Sequence, residues 1–375
     1  MNVIVFDNRR PYNHFLEFFM LYDWGTQSCR KALGSAALQH LLASGETFDL
    51  VITESFNTDC LLAVAHRLNA PFIGLSSCTL QPWHLDRVGI PNFPSYIPTL
   101  FMGYSEDMTF GQRLANWITL QSFKFAYKLF NDRTANSIVA EHLGPGIPDV
   151  GELAKRTSLI MVNTHYSLSG TKPLPPSVVE IGGGYLFSTH ENTLDSKLDP
   201  ELREFLDSAD NGVIYISWGS MIRAETLPSC QTRWDPPGTG HATTEGSLER
   251  DILCHPKVRV FMTHGGLLAA PRPPTVESPY LTNAKRVSYA YRNRPKNPLD
   301  TAVWWAEHVI KTGGAPLTRS HSIHLPWYIY HSLDVIATLL VGLLTFLGAW
   351  IWFLRRIFSS GRRKQPTNRD KVKKN

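Results

Sequence analysis

Two glycine turns, each following an apolar run, are the segments of this chain whose residue types most clearly suit ligand binding. GVIYISWGSM predicts a strand over Val213–Ser217 and a turn at residues 219–221, and VRVFMTHGG predicts a strand over 258–262 and a turn at 263–266. Glycine lets backbone N–H groups approach a phosphate where the next helix starts. Each turn alone is more often ordinary turn chemistry. Together they indicate a site for a nucleotide diphosphate.

The surrounding patterns exclude several common classes of site. Neither turn completes a G-x-x-x-x-G-K-[ST] loop or a G-x-G-x-x-G fingerprint, which disfavours kinase-like and dehydrogenase functions. The five cysteines include no C-x-x-C pair, so a zinc site and a dense disulfide framework are unsupported. One disulfide could form in an oxidising compartment. We expect neither a metal nor a cofactor.

Composition and charge bound the architecture. The 375 residues predict two to three domains, and 43% hydrophobic with 18% charged residues is an ordinary globular composition. The net charge of +5 is concentrated, because residues 355–375 hold nine Lys or Arg and one acid. A nucleic-acid partner is disfavoured, since such proteins carry positive charge on a folded face.

One segment is predicted to span a membrane. Residues 335–354 (VIATLLVGLLTFLGAWIWFL) are uncharged, and a helix of that length covers the hydrocarbon core of a bilayer. Trp350 and Trp352 suit an interface, and Arg355 and Arg356 follow at once. A buried core helix is the alternative. The positive-inside rule places the tail 355–375 in the cytoplasm and the large N-terminal portion in a lumen.

The other end of the chain gives a conflicting indication. Residues 3–6 form an apolar run too short for a secretory signal, so no signal peptide is predicted. Two alternatives follow: a tail-anchored cytosolic protein, or a sequence whose true N-terminus is missing.

The first part of the chain predicts a parallel α/β unit. FDLVITE (48–54) is a short apolar run rich in β-branched residues, which predicts a strand, and PFIGL (71–75) predicts another buried strand. Between them, residues 61–68 have helical spacing, with Asn57 or Thr58 as the cap. This βαβ arrangement predicts a parallel sheet. Two further strands are expected at 159–162 and 178–181.

A long helical stretch follows at residues 112–143. Four apolar side chains recur there at helical spacing: Leu114, Trp117, Ile118 and Phe125. We expect them to face the core, although contact with a membrane or an acceptor pocket is an alternative.

Two stretches fit no regular element. Residues 228–247 have almost no apolar residues, and 270–296 contain five prolines among many basic residues. We expect neither to form a helix or a central strand. Such long irregular stretches argue against a complete fold.

At this point the motifs resemble a known family. RDILCHPKVRVFMTHGGLL, YISWGSM, FDLVITESFNTDC and PLDTAVWWAEHVIKTGGA before WYIYHSLDVIATLLV are similar to the membrane-bound animal UDP-glycosyltransferases, the UDP-glucuronosyltransferase family. The resemblance covers most of the chain, and the HP…THGG and HSLDV motifs are specific in combination.

The resemblance implies an α/β fold of the glycosyltransferase B type, with two Rossmann-like domains facing across a cleft and one C-terminal transmembrane helix. Residues 1–190 would form the acceptor domain, without its N-terminal part. Residues 191–315 would form the UDP-sugar domain, interrupted at 229–248 and 269–292. The helix 335–354 and the basic tail 355–375 would follow.

The resemblance also implies a mechanism and its residues. In the family, transfer is direct and inverting, and an acidic residue orients a histidine that takes the acceptor proton. That acid matches Glu54, with Asp59 as a second candidate; a capping or solvated carboxylate is the alternative role for both. Five residues match the family's phosphate-contacting positions: Ser220, Thr263, His264, Gly265 and Gly266. His264 could instead be a core histidine bonded to a backbone carbonyl.

The departures from the family predict impaired activity. The catalytic histidine lies upstream of this sequence, and neither His14 nor His40 replaces it convincingly. Residues 246–249 stand where the family has a uracil-binding Trp-x-Pro-Gln loop, and 269–292 replace the segment that reads the sugar. A mispredicted or alternatively spliced gene product is the simplest account.

The function expected from the resemblance is transfer of a hexose or glucuronic acid from a UDP-sugar to a small lipophilic acceptor, at the endoplasmic reticulum membrane. The UDP-sugar, the acceptor, the bilayer and other family members in a homo- or hetero-oligomer are the expected partners. The alternative is a catalytically inactive membrane-anchored partner of full-length family members.

Overall fold

The structure is a computed structural model that describes residues 13–184, 198, 200–217, 252–253, 255–263 and 279–360. The chain divides into two units, Met1–Ser320 and His321–Asn375. The helices and strands described in the first unit are α1 (Asn13–Leu33), α2 (Ala36–Ala43), β1 (Val51–Glu54), α3 (Leu62–Arg67), β2 (Phe72–Ser76), α4 (Phe110–Ala126), α5 (Arg133–Leu143), α6 (Val150–Ala154), β3 (Leu159–Val162), α7 (Tyr166–Ser169), β4 (Val178–Glu180), α8 (Pro200–Ser208), β5 (Val213–Ser217), β6 (Val258–Thr263), α9 (Pro279–Arg292) and α10 (Pro298–Lys311).

Four parallel strands form the first sheet, in the order β1-β2-β3-β4. Val51 pairs with Phe72, and Ile73 with Leu159. The predicted βαβ unit is confirmed, because β1 and β2 are parallel neighbours joined through α3. Parallel strands are buried on both faces by crossover helices, which explains their continuous apolar sequences.

One face of this sheet packs on α1, α3, α5 and α6. Phe72 of β2, Ala63 of α3 and Ile138 of α5 are buried in one cluster. A disulfide between Cys29 of α1 and Cys60 lies in the same cluster. The single bridge that the sequence allowed therefore attaches α1 to the start of α3.

The opposite face is covered by a helix from far along the chain. Trp305 and Val309 of α10 pack with Ile73, Leu159 and Met161. Sequence reasoning assigned α10 to the second domain, but its apolar side completes the core of the first sheet.

β5 and β6 form a second, two-stranded parallel sheet. Leu202 and Leu206 of α8 are buried beside it with Ile252. The rings of Tyr215 and Phe261 stack across the two strands, 5.3 Å between centroids. Both strands agree with the predicted strand series.

Three expectations about helices were wrong. Residues 270–296 contain a helix, α9; Pro279 is its first residue, where the missing N–H costs no hydrogen bond. α3 begins after Leu61 without a side-chain cap from Asn57 or Thr58. The stretch 110–143 is helical, as α4, a π-helical segment at Tyr127–Asp132 and α5, but the four apolar residues expected inside are exposed.

The second unit contains α11 (Trp327–Tyr330) and α12 (Leu333–Ser360). Leu333–Phe358 is long and apolar enough to cross a membrane. It includes the predicted segment 335–354.

Candidate functional site

A large cavity lies among the segments that follow β2 and β3. Its volume is about 990 Å³, and its wall is formed mainly by residues 78–104, Leu120 of α4 and residues 169–173. Most of the lining is aliphatic, aromatic or proline, a composition suited to a lipophilic ligand. In open parallel sheets, ligands bind beyond the carboxyl ends of the strands, which is where these segments begin.

A smaller cavity of about 360 Å³ shares part of this wall, including Leu80, Ile90 and Lys172. The Thr164 hydroxyl, which lines it, donates a hydrogen bond to Glu180 Oε1 at 2.9 Å. The smaller cavity thus has a polar side where the larger one is mostly apolar.

Glu54 is the last residue of β1 and is exposed. Its Oε1 accepts a hydrogen bond from Ser77 Oγ at 2.9 Å, the only bond to that carboxylate within the described residues. Cys78, which follows Ser77 in the chain, lines the large cavity. Burial raises the pKa of the Cys78 thiol, and the negative charge of Glu54 adds to that rise. Glu54 therefore lies at the cavity edge with room for a further partner.

Asp59 has a different environment, buried at 6% exposure. Its carboxylate forms an ion pair with Arg87 and accepts a hydrogen bond from the Tyr127 hydroxyl at 3.1 Å. Arg87 Nη2 also donates to Asp132 Oδ1 at 2.7 Å, and its guanidinium lies 4.8 Å from the Tyr127 ring centroid. Asp59 is held inside this group, which we call the Arg87 cluster (Arg87, Asp59, Asp132 and Tyr127).

The electrostatics of the Arg87 cluster follow from its burial. Burial raises the pKa of Asp132, and the cation of Arg87 works in the opposite direction. Burial likewise raises the pKa of the Tyr127 hydroxyl, which stays protonated and donates its hydrogen bond. Two carboxylates share one cation here, so Arg87 is the residue on which the charge balance depends.

The predicted phosphate-contacting residues lie mostly outside the described residues. Ser220, His264, Gly265 and Gly266 are all outside, and Thr263 is described only as the last residue of β6. The backbone still gives one relevant fact, since Ser217 at the end of β5 pairs with Thr263. The two strands that precede the glycine motifs therefore end side by side.

Two histidines are too buried to be protonated at neutral pH. Burial lowers the pKa of His84 to about 3, and its Nδ1 accepts a hydrogen bond from the Gln81 N–H. Burial, aided by the Arg294 cation, lowers the pKa of His165 to about 4, and His165 caps α7. Neither hydrogen-bonds to Glu54 within the described part of the chain. Of the histidines considered from sequence, His40 is exposed on α2 and the His14 side chain is outside the described residues.

Sequence reasoning missed Lys172 and the Arg87 cluster. Lys172 lines both cavities, and burial lowers its pKa while the charge of Glu180 opposes that shift. Within the described residues it forms no ion pair. No sequence signal could have found Lys172, because it lies in an irregular segment between β3 and β4. Asp59, Arg87 and Asp132 are likewise too far apart in sequence for a local pattern.

Comparison with known proteins adds family evidence to this geometry. The family described as "UDP-glucoronosyl and UDP-glucosyl transferase" matches residues 7–229 and 275–362. UDP-glycosyltransferase UGT5 of Dactylopius coccus is 29% identical over 91% of this chain and 78% of its own length. UDP-glucosyltransferase 2 of the same organism is 29% identical, over 80% of this chain and 70% of its own. UDP-glucuronosyltransferase 1A9 of Homo sapiens is 26% identical, over 94% and 77%.

Proposed function

Because the chain belongs to the UDP-glycosyltransferase family, whose enzymes transfer sugar from a UDP-sugar, we propose that it binds a small lipophilic acceptor in the 990 Å³ cavity. Residues 1–190 would hold the acceptor and residues 191–315 the UDP-sugar, in the two facing domains of a glycosyltransferase B fold, with α10 crossing back to pack on the sheet of the first range. The apolar cavity beyond the carboxyl ends of β2 and β3 is the observation that carries this proposal.

The reaction would be an inverting displacement. The acceptor oxygen forms a bond to the anomeric carbon, the bond from that carbon to the β-phosphate oxygen breaks, and UDP leaves. The acceptor proton passes to a general base. N–H and hydroxyl donors of Ser220 and residues 263–266 would stabilise the charge that develops on UDP.

We assign the acidic partner of the base to Glu54 rather than Asp59. The Glu54 carboxylate is exposed beside the cavity wall and has one hydrogen bond, from Ser77. The Asp59 carboxylate is committed to Arg87 and Tyr127, so its role would be structural.

Acceptor binding can be tested without turnover. We expect a small uncharged phenol to bind the full-length chain in detergent or nanodiscs. Ile97→Trp, which fills the cavity from its wall, should weaken binding. Tyr96→Trp is the matched control, because Tyr96 is the exposed neighbour that does not line the cavity. Equal binding by both variants would contradict the location of the site.

The transfer activity of this chain is expected to be impaired. Residues 246–249 and 269–292 stand where the family's uracil-binding loop and sugar-reading segment are expected, and no histidine hydrogen-bonds to Glu54 within the described part of the chain. UDP release with a phenolic acceptor measures this directly. Turnover close to that of an intact relative would refute the impairment but would support the transferase function.

The alternative function is that of a catalytically inactive partner of full-length relatives. It is motivated by the same departures from the family motifs. Co-purification with an intact family member and a change in that enzyme's rate would favour it. An unchanged rate and no co-purification would exclude it.

We also propose that α12 spans the endoplasmic reticulum membrane once, with residues 355–375 in the cytoplasm. The basic tail after the apolar helix favours this orientation. The buried disulfide Cys29–Cys60 favours an oxidising lumen for the rest of the chain. Protease treatment of sealed vesicles tests this, since digestion of the N-terminal portion would indicate the tail-anchored alternative.

A further inference from the structure

Helix α4 has apolar side chains on two opposite sides. Its inner side is buried and includes Asn116, Leu120 and Phe123. Its outer side presents five large apolar residues that are between 49% and 73% exposed. These residues, which we call the outer face of α4, are Phe110, Leu114, Trp117, Ile118 and Phe125.

The outer face is one continuous stripe. Relative to Phe110, its members occur at positions +4, +7, +8 and +15, which lie on one side of a helix with 3.6 residues per turn. Large contiguous apolar surfaces are rare on soluble proteins and mark interaction sites. The outer face therefore needs an apolar partner of its own.

The charged residues of α4 itself are basic, while the exposed Glu106 and Asp107 lie just before the helix. α4 contains Arg113 and Lys124 and no acidic residue, and the exposed Lys128 follows it. The Arg113 guanidinium lies 6.0 Å from the Phe110 ring centroid, at one end of the stripe. Lys124 is paired with Asp86 at 2.7 Å, which leaves Arg113 and Lys128 as the basic border.

We propose that the outer face of α4 docks on the surface of a lipid bilayer that contains anionic lipids. Tryptophan, phenylalanine and aliphatic residues on one side of a helix, bordered by arginine and lysine, are the composition of helices that lie in a membrane interface. Basic residues close to a membrane are attracted by anionic headgroups. α12, the helix long enough to cross a bilayer, keeps the chain at a membrane, so docking is a second contact at high effective concentration.

The inner side of α4 connects this surface to the cavity. Leu120 lines the cavity, and Asn116 is fully buried between α4 and the loop that forms the cavity wall. The Thr99 N–H donates to Asn116 Oδ1 at 2.7 Å, and Asn116 Nδ2 donates to the carbonyls of Pro94 and Ile97, both at 2.9 Å. α4 is thus a wall with lipid on one side and the cavity on the other.

This arrangement would let a lipophilic acceptor pass between the bilayer and the cavity. That consequence rests on the proposed function. The docking itself does not, and the experiment below measures docking alone.

The test places a nitroxide label at position 118 of the full-length chain in vesicles. Ile118→Cys is made with Cys78, Cys230 and Cys254 changed to serine, so that the disulfide remains. Vesicles contain phosphatidylcholine and phosphatidylserine at about three to one. Accessibility to oxygen, which concentrates in lipid, is compared with accessibility to a water-soluble nickel chelate. Glu141→Cys, at an exposed polar position on α5, is the matched control.

We expect the oxygen-to-nickel ratio at position 118 to exceed that at position 141 several-fold. The ratio at 118 should fall in phosphatidylcholine alone or at 1 M salt, where the screening length shrinks to about 3 Å. Lys128→Gln should weaken this lipid dependence. A ratio at 118 equal to that at 141 would mean that the outer face meets water. Shielding from both reagents would mean that protein covers it. Either result would overturn the proposal.

Discussion

Replacing Arg87 with methionine is the perturbation that most directly tests how the first sheet and the cavity wall are held together. The side chains of Arg87, Asp59 and Asp132 are 12%, 5% and 10% exposed. Methionine keeps most of the length and the apolar stem but removes the cation. Two buried carboxylates then face each other without a counter-charge.

The size of the loss can be estimated from the proton that must be bound. One carboxylate can become neutral by binding a proton. At pH 7.5, protonating an aspartate with an ordinary pKa near 3.9 costs about 1.36 kcal/mol for each of the roughly 3.6 pH units between the pKa and the pH. The result, about 5 kcal/mol, agrees with the roughly 3–5 kcal/mol measured when buried ion pairs lose one partner. At pH 5.0 the same step costs only about 1.5 kcal/mol.

The assay is thermal unfolding of the full-length chain in detergent at the two pH values. At about 2 °C per kcal/mol for a unit of this size, Arg87→Met should lower the melting temperature by roughly 6–10 °C at pH 7.5. At pH 5.0 the loss should be about a third as large. Arg30→Met is the control, because Arg30 and Glu141 form a pair whose side chains are 53% and 56% exposed. Exposed pairs are worth less than about 1 kcal/mol.

Two results would refute this reasoning. One is a loss at pH 7.5 no larger than that of Arg30→Met, which would mean that water reaches the Arg87 cluster. The other is an equal loss at both pH values, which would mean that the penalty is lost packing rather than unpaired charge. If Arg87→Met does not fold, Tyr127→Phe removes only the hydrogen bond to Asp59 and should cost about 1 kcal/mol.

Three further results are expected. Replacing Cys29 and Cys60 with serine should cost about 3.7 kcal/mol of stability, from the chain entropy of a loop with 31-residue separation. Alkylation of the chain unfolded without reductant should leave Cys29 and Cys60 unmodified, and modification of both would contradict a formed bridge. Lys172→Met should weaken binding of a hydroxybenzoate about ten-fold, the value of one charge-assisted hydrogen bond, without affecting the uncharged methyl ester; equal effects on both would remove the ion-pairing role. The pKa of His84 is lowered by burial from 6.5 to about 3, so its contribution to stability is complete above pH 6.5 and is lost as pH falls towards 3. The loss at pH 5 is about 2 kcal/mol. Denaturant titrations at several pH values should find that His84→Gln lacks this pH dependence of the unfolding free energy.

The parts of the fold that the sequence predicted are those with a local cause. β1, β2 and β3 are short, mostly apolar runs whose neighbours break the pattern, and the parallel βαβ connection follows from their spacing. The environments of the candidate catalytic residues were harder to predict from the sequence. Glu54 could be found because it ends a strand, but the partners that separate its environment from that of Asp59 come from distant segments.

The errors also have physical causes. Helical periodicity identifies an apolar side of α4, but it does not decide which side is buried when the helix has two. Phe123 and Trp117 are both large and aromatic, yet Phe123 is buried and Trp117 is half exposed. The prolines before α9 excluded a helix only at their own positions, and Pro279 is at a helix start, where proline is favoured.

The position of α10 bears on how a chain with an interrupted family match can fold. The family match stops at residue 229 and resumes at 275, and α10 lies beyond that gap. Its Val309 is fully buried against Ile73 and Leu159 of the first sheet. Without α10 one face of the sheet would expose these side chains to water, at a cost of about 1.5–3 kcal/mol for each large apolar residue. The acceptor-side sheet is therefore stabilised by residues C-terminal to the interruption, and a chain that ended there would lose the apolar cluster that covers one face of this sheet.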